Sequence, residues 1–184
     1  MRDALKEITQ LDDNTWQVFN NVITETSLQK GDLLVYPGQV CRHIYFLETG
    51  LLRSFLHQEG EERNVAFTSE NAFVTDLKSL RSGQPTELTI QALEQSTVLQ
   101  LAKTDLMRLY HESHQIETFG RQLLEALLEA REEYATWFTL HSAKERYELF
   151  SQKYPSLLQR LALGHIASFL GIRRETLSRI RHLK

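Results

Sequence analysis

From Gly31 to about residue 102 the chain is a string of short apolar runs cut by turns, and from residue 103 it changes to long helical periodicity. That switch of period, from about 2 residues to about 3.6, constrains the fold more than any other feature. LLVY ends at the Pro37-Gly38 turn, HIYFLETG and LLRSFLHQEGEE flank Gly50 and close on a charged turn at Gly60, and NVAF, TELTIQAL and TVLQLA follow. Short strands with turn signals about every ten residues predict a β-sandwich or small barrel. LTIQALEQSTVLQLA alternates apolar and polar in part, as half-buried antiparallel strands do. Ahead of this region, residues 5–28 read as helix, with Asp, Asn and Thr of LDDNTW as N-cap candidates and Trp16, Phe19, Val22 and Ile23 at helical spacing.

In the helical half, KTDLMRLYHES has Thr104 as an N-cap candidate. The longest periodic stretch runs from Ile116 to His141. Apolar or small residues fall at 116, 119, 123, 127, 130, 134 and 137, close to the heptad spacing of about 3.5. Such a helix is roughly 39 Å long. A second flank, Leu124, Leu128 and Phe138, is also apolar. Two apolar faces predict that one packs on its own domain and the other on its copy in a homodimer; burial on both sides within a monomer is the alternative. Ser142-Ala-Lys-Glu145 is a capping box that starts a new helix, and Pro155 stops it.

The chain then ends on IASFLGIRRETLSRIRHLK. With Leu163 as the first position of a helix-turn-helix, Ile166, Ala167 and Leu170 face inward, Gly171 sits at the turn, and Ile172, Leu177 and Ile180 pin the second helix. Arg173, Arg174, Glu175, Thr176, Ser178, Arg179 and Arg181 fall outside that buried set. Arginine forks onto guanine or phosphate, glutamate accepts from cytosine, and Ser or Thr reaches either, so the set is a candidate DNA-binding face. Arg174, Glu175 and Ser178 lie nearest the end that enters a major groove. Charge supports this. The whole chain has 21 Lys and Arg against 24 Asp and Glu, yet from Arg173 onward there are five basic residues and one acid. An acidic body therefore carries a basic end. The bland alternative is an amphipathic hairpin whose basic end complements the helix dipole.

Other classes are less well supported. No apolar run approaches the ~18 residues that span a bilayer. MRDALKEITQLDD has acids where a signal peptide needs an apolar stretch. The single cysteine, Cys41, excludes an internal disulfide. These features predict a cytoplasmic chain without a membrane partner. The seven histidines include no His-x-His pair, only His43 and His57 lie in the β region, and HESH at 111–114 lacks zinc-protease spacing, although its two histidines would share a face on one helix. No P-loop, nucleophile elbow or Rossmann glycine set is present. Neither a metal site nor catalytic residues are expected.

KGDLLVYPGQ, IYFLETGLLR, FVTDLKSLRSG and TELTIQALEQSTVLQLAKTDL, followed by the long helix and RETLSRI, together resemble the Crp/Fnr family of bacterial transcription regulators, in particular its short Bacteroidetes-type members. The resemblance implies an α+β fold: an N-terminal helix, an antiparallel double-stranded β-helix (jelly roll), a long dimerisation helix and a small all-α helix-turn-helix. The corresponding division is 1–115, 116–141 and 142–184. It implies double-stranded DNA as partner, base reading by Arg174, Glu175 and Arg179, and a small-molecule effector in the roll. Relatives that bind cyclic AMP use a Gly-Glu pair for the ribose and an Arg with a small neighbour for the phosphate. Here Thr75-Asp76 and Thr86-Glu87 stand in those places. The effector pocket is thus a degenerate cassette of Asp76, Leu77, Thr86 and Glu87. Cyclic AMP binding is expected to be weak or absent, the effector is unidentified, and no cofactor is expected. The sequence ends at Lys184, four residues past Ile180, so no wing is expected and Lys184, His182 and His165 join the candidates for phosphate contact. The rival reading is a ligand-sensing or protein-interaction module that has lost DNA binding.

Overall fold

The computed structural model describes Met1 and residues 11–182; the Lys184 contact and the first part of the 5–28 helix lie outside the described residues. Helix α1 spans Asp13–Asn20, capped by Asp12, whose Oδ1 accepts from the Thr15 amide at 2.7 Å. The expected helix does not continue to 28. Ile23–Leu28 is strand β1, antiparallel to the last strand with Ile23 opposite Leu101. The helical spacing misled because Val22 and Ile23 enter the same apolar cluster as Trp16 and Phe19 from across a turn.

Seven more strands follow among the described residues: β2 (Leu33–Val35), β3 (His43–Thr49), β4 (Leu52–Gln58), β5 (Glu61–Thr68), β6 (Ala72–Val74), β7 (Leu88–Ala92) and β8 (Ser96–Ala102). They form two antiparallel four-stranded sheets, ordered β1-β8-β3-β6 and β2-β7-β4-β5. The expected jelly roll is present. Val35, Leu47, Leu52, Ile90 and Val98 fill its interior and are fully buried. The short helix α2 (Leu77–Ser82) crosses between β6 and β7.

Helix α3 (Lys103–Glu112) starts straight from β8, and Ala102, not Thr104, is the capping residue. Pairing of β8 through Ala102 and a bond from the Lys103 amide to Arg42 O at 2.9 Å leave no room for a capping turn at Thr104. An extended Ser113 separates α3 from α4 (His114–Leu140). His111 and His114 therefore sit on different helices and do not share a face. At 27 residues α4 is about 40 Å long.

Two different cores take up its periodic stripe. Ile116, Phe119 and Leu123 are buried with α1, α3 and the outer face of the first sheet. Tyr134 and Trp137 pack into a C-terminal cluster. Phe138 joins that cluster instead of the second flank: its ring lies against Tyr134, Arg146 and Gly171. Leu124 and Leu128 stay half exposed.

The C-terminal helices are α5 (Ala143–Lys153), α6 (Leu157–Arg160), α7 (Leu163–Phe169) and α8 (Arg174–His182). The capping box forms as read, with the Ser142 amide donating to Glu145 Oε2 at 2.7 Å. Phe150, Ile166, Leu170 and Leu177 centre this core, and Leu51, Phe67 and Leu93 of the roll belong to it too.

Helix α7 lies along β5, the edge of the second sheet. The Ser168 hydroxyl donates to Glu62 O at 2.7 Å and accepts from the Asn64 amide at 3.0 Å, as a neighbouring strand would. Asn64 Nδ2 donates to His165 O at 3.2 Å. Arg53 is buried in the same seam, donating to Glu62 at 2.7 Å and to Gln91 at 2.6 and 2.8 Å, with its guanidinium 4.0 Å from the Phe55 centroid. Its Nη1 lies 3.4 Å from His165 Nδ1.

Burial, then Arg53, holds the His165 imidazolium below its usual range; Lys30 adds to this and Glu62 opposes it. A depressed folded pKa means that the seam's stability is whole above the unfolded value of about 6.5 and is lost as pH falls through the folded value. The urea midpoint is expected to drop from pH 7.5 to pH 5.5 more steeply in the wild type than in His165→Asn. Parallel profiles would show that His165 is not the titrating group.

Candidate functional site

The turn before α8 is built on Gly171, at φ +66, where an added Cβ would come within 2.9 Å of the Phe138 ring. The Ile172 amide closes the turn on Ala167 O at 3.0 Å. Leu177 is fully buried beneath α8, with Ile172 and Ile180 half-buried beside it. The residues left outward are Arg173, Arg174, Glu175, Arg179, Arg181 and His182. Arg174, Glu175, Ser178 and Arg179 line one depression together with Leu163. Thr176 is half-buried, with its hydroxyl 3.5 Å from Arg179 Nη2. Among the described residues no ion pair restrains Arg173, Arg174 or Arg181. His165 is half-buried and faces Arg53 in the seam, with its Nδ1 3.4 Å from Arg53 Nη1.

The cassette lies at the far side of the roll. Asp76 caps α2, its Oδ1 accepting from the Lys78 and Ser79 amides at 3.0 and 3.3 Å. Its Oδ2 accepts from the Thr86 hydroxyl, which in turn accepts from the Leu88 amide at 2.9 Å. Asp76 does take a hydroxyl, but the hydroxyl belongs to its own chain. Thr86 is buried and its backbone zips onto the Pro37-Gly38 turn, with Gly38 N to Thr86 O at 2.9 Å and Thr86 N to Gln39 O at 2.8 Å. Ser79 ties the loop further, donating to Gln84 O at 2.6 Å and accepting from the Cys41 amide at 2.9 Å. Leu77 is half-buried at the start of α2, and Glu87 is exposed. Sequence reasoning missed the Asp76–Thr86 pair, although an Asp directly before LKSL is an N-cap signature.

On the opposite flank of α4, Leu124 and Leu128 form a groove with Tyr110, Glu117, Gly120, Arg121 and Glu125. Gly120 lets α3 and α4 close up, since a Cβ there would strike the Tyr110 hydroxyl at 1.7 Å.

The sequence profile of the cyclic nucleotide-binding domain matches residues 25–113. No curated protein matches the chain closely enough to count as a relative. Solved structures with the same fold include FixK2 from Bradyrhizobium japonicum, at 20% identity and a TM-score of 0.76, covering 88% of this chain and 84% of that one. A transcriptional regulator assigned to the crp/fnr family, from Eubacterium rectale, matches at 18% identity and 0.73, covering 94% and 83%. The c-di-GMP-responsive global regulator CLP of Xanthomonas campestris matches at 16% and 0.70, covering 94% and 91%. Over residues 25–113 the chain is similar to the cyclic nucleotide-binding domain, and as a whole it has the Crp/Fnr-type fold. In that Crp/Fnr-type fold the cassette lies inside the profile-matched segment, whereas α8 lies beyond it. Among the described residues no three potential metal ligands converge, and no helix is long and apolar enough to cross a membrane.

Proposed function

We propose that this protein is a homodimeric transcription regulator that reads double-stranded DNA with α8. The observation that carries this reading is the convergence of Arg174, Glu175, Ser178 and Arg179 in one exposed depression at the start of the last helix. In the proposed complex these four side chains meet base edges in the major groove. Arg173, Arg181 and, beyond the described residues, Lys184 contact phosphates. Leu124 and Leu128 of each copy pack together along α4, setting the two reading helices about 34 Å apart on a near-palindromic site. Fluorescence anisotropy against a duplex from the protein's own promoter region, with a random duplex as control and across a salt series, tests it. Preferential binding to the promoter duplex is the expected result. Absence of binding at low salt by a confirmed dimer would favour the rival sensor or protein-interaction module.

Cyclic AMP is not the effector in this reading. A nucleotide would have to part Asp76 from Thr86, and neither Thr86 nor Glu87 offers a cation to its phosphate. Arg81 is exposed, and Lys103 Nζ is held on its carbonyl at 3.1 Å. A charge-assisted pair missing from a buried site costs roughly 1.5–3 kcal/mol. Isothermal titration with cyclic AMP is expected to give no saturable heat at micromolar concentrations; a micromolar Kd would overturn this. Where an effector acts on the roll, it is a different small molecule.

A further inference from the structure

Arg160, the last residue of α6, reaches out of the C-terminal domain into the turns of the roll. Its Nη1 and Nη2 donate to the two carboxylate oxygens of Glu70 at 2.9 and 2.8 Å. Its Nε and Nη2 donate to Glu94 at 3.1 and 2.8 Å, and Nη2 also reaches Gly50 O at 2.9 Å. The Gly50 amide donates to Glu70 at 3.1 Å, so one cation gathers three turns. Gly50 joins β3 to β4, Glu70 joins β5 to β6, and Glu94 joins β7 to β8.

The two carboxylates stand at informative places in the chain. Strand β6 leads from Glu70 to Asp76, and β7 leads from Thr86 to Glu94. At about 3.3 Å per residue these spans are roughly 20 and 26 Å. The strands belong to opposite sheets. At one end they are tied by the Asp76–Thr86 hydrogen bond, and at the other by Arg160. A group that parts Asp76 from Thr86 removes a tie between β6 and β7, and Glu70 and Glu94 at the other ends of those strands hold Arg160 of α6. Helix α6 leads directly into α7, which is itself seated on β5 through Ser168.

We infer that Arg160 is a positioning residue that couples the cassette to the C-terminal helices, so that breaking the Asp76–Thr86 contact loosens α7 from the roll. This goes beyond DNA reading and is tested without DNA or ligand, so failure to bind DNA would leave it standing.

The experiment is amide hydrogen exchange in a double-mutant cycle on the full chain. In Arg160→Met, the Asn64 amide and the amides of α7 are expected to exchange about tenfold faster or more, while those of β1 and β8 keep their protection. Thr86→Val, at the far end of the strands, is expected to give the same pattern. The double variant is expected to add nothing to Arg160→Met alone, since the coupling is already cut. A merely structural role for Arg160 predicts independent effects that multiply, and that result would overturn the inference. So would an unchanged α7 in Thr86→Val. Far-UV circular dichroism checks folding; if Arg160→Met does not fold, Glu94→Gln, which keeps the Glu70 pair, takes its place in the same cycle with a smaller expected increase.

Discussion

Replacing Arg174 and Arg179 by alanine is expected to abolish preferential DNA binding while leaving the fold intact. Both side chains are exposed and Leu177 carries the packing of their helix, so their loss leaves that packing in place. A bidentate arginine–guanine contact discriminates by about 1–3 kcal/mol. At 1.4 kcal/mol per factor of ten, each substitution lowers affinity for the cognate duplex by roughly 5- to 150-fold per half-site. Arg173→Ala and Arg181→Ala are expected to behave differently. Phosphate contacts weaken binding to all sequences alike and flatten the salt dependence by about one unit of slope each. Anisotropy on cognate and random duplexes separates the two classes. An equal loss on both duplexes for Arg174→Ala and Arg179→Ala would mean that these residues touch backbone and not bases.

The second large effect concerns assembly. Leu124→Glu with Leu128→Glu is expected to yield a folded monomer, read by light scattering on a sizing column. Each leucine is half exposed in the isolated chain, at 50% and 55%, so a carboxylate there is solvated in the monomer. In the proposed dimer it is buried beside Glu117 and Glu125, with Arg121 already paired to Glu125, and an uncompensated buried charge costs about 3–5 kcal/mol. Two such groups per protomer exceed what most helix pairs gain. Phe138→Ala is the contrasting variant. Its ring is covered by Tyr134, Arg146 and Gly171, so it should lower stability and leave the dimer unaffected. A double-Glu variant that stays dimeric would place the interface on another face.

These two predictions draw on parts of the chain that differ in how openly the sequence displays them. The two last helices and the glycine turn between them were legible because their rules are local. An inward small residue, a glycine at positive φ and a branched apolar residue fall at fixed offsets, and the exposed set is what remains. The capping box at Ser142 and the long helix were legible for the same reason. The strand β1 was not. ITETSL alternates, but Val22 and Ile23 continue the helical spacing of Trp16 and Phe19, and only the pairing with β8, 68 to 78 residues away, settles it. Phe138 was assigned to the wrong flank because helical phase alone does not say where a second core begins. The seam and the clasp were invisible for a deeper reason. Arg160 is 90 residues from Glu70 and 66 from Glu94, and Ser168 is 104 from Asn64, so nothing in local spacing connects them. The cassette lay between these extremes: the departures at Asp76 and Thr86 were plain, but their mutual bond was not.

Ser168 has one more consequence. A strand at the rim of a sheet presents unpaired amides and carbonyls, and these recruit strands from other molecules. Strand β5 is such a rim, and one hydroxyl occupies Glu62 O and the Asn64 amide at its middle. Helix α7 therefore also covers an edge that would otherwise be open to other chains. Variants weakened at this seam are expected to accumulate in cells as insoluble aggregate.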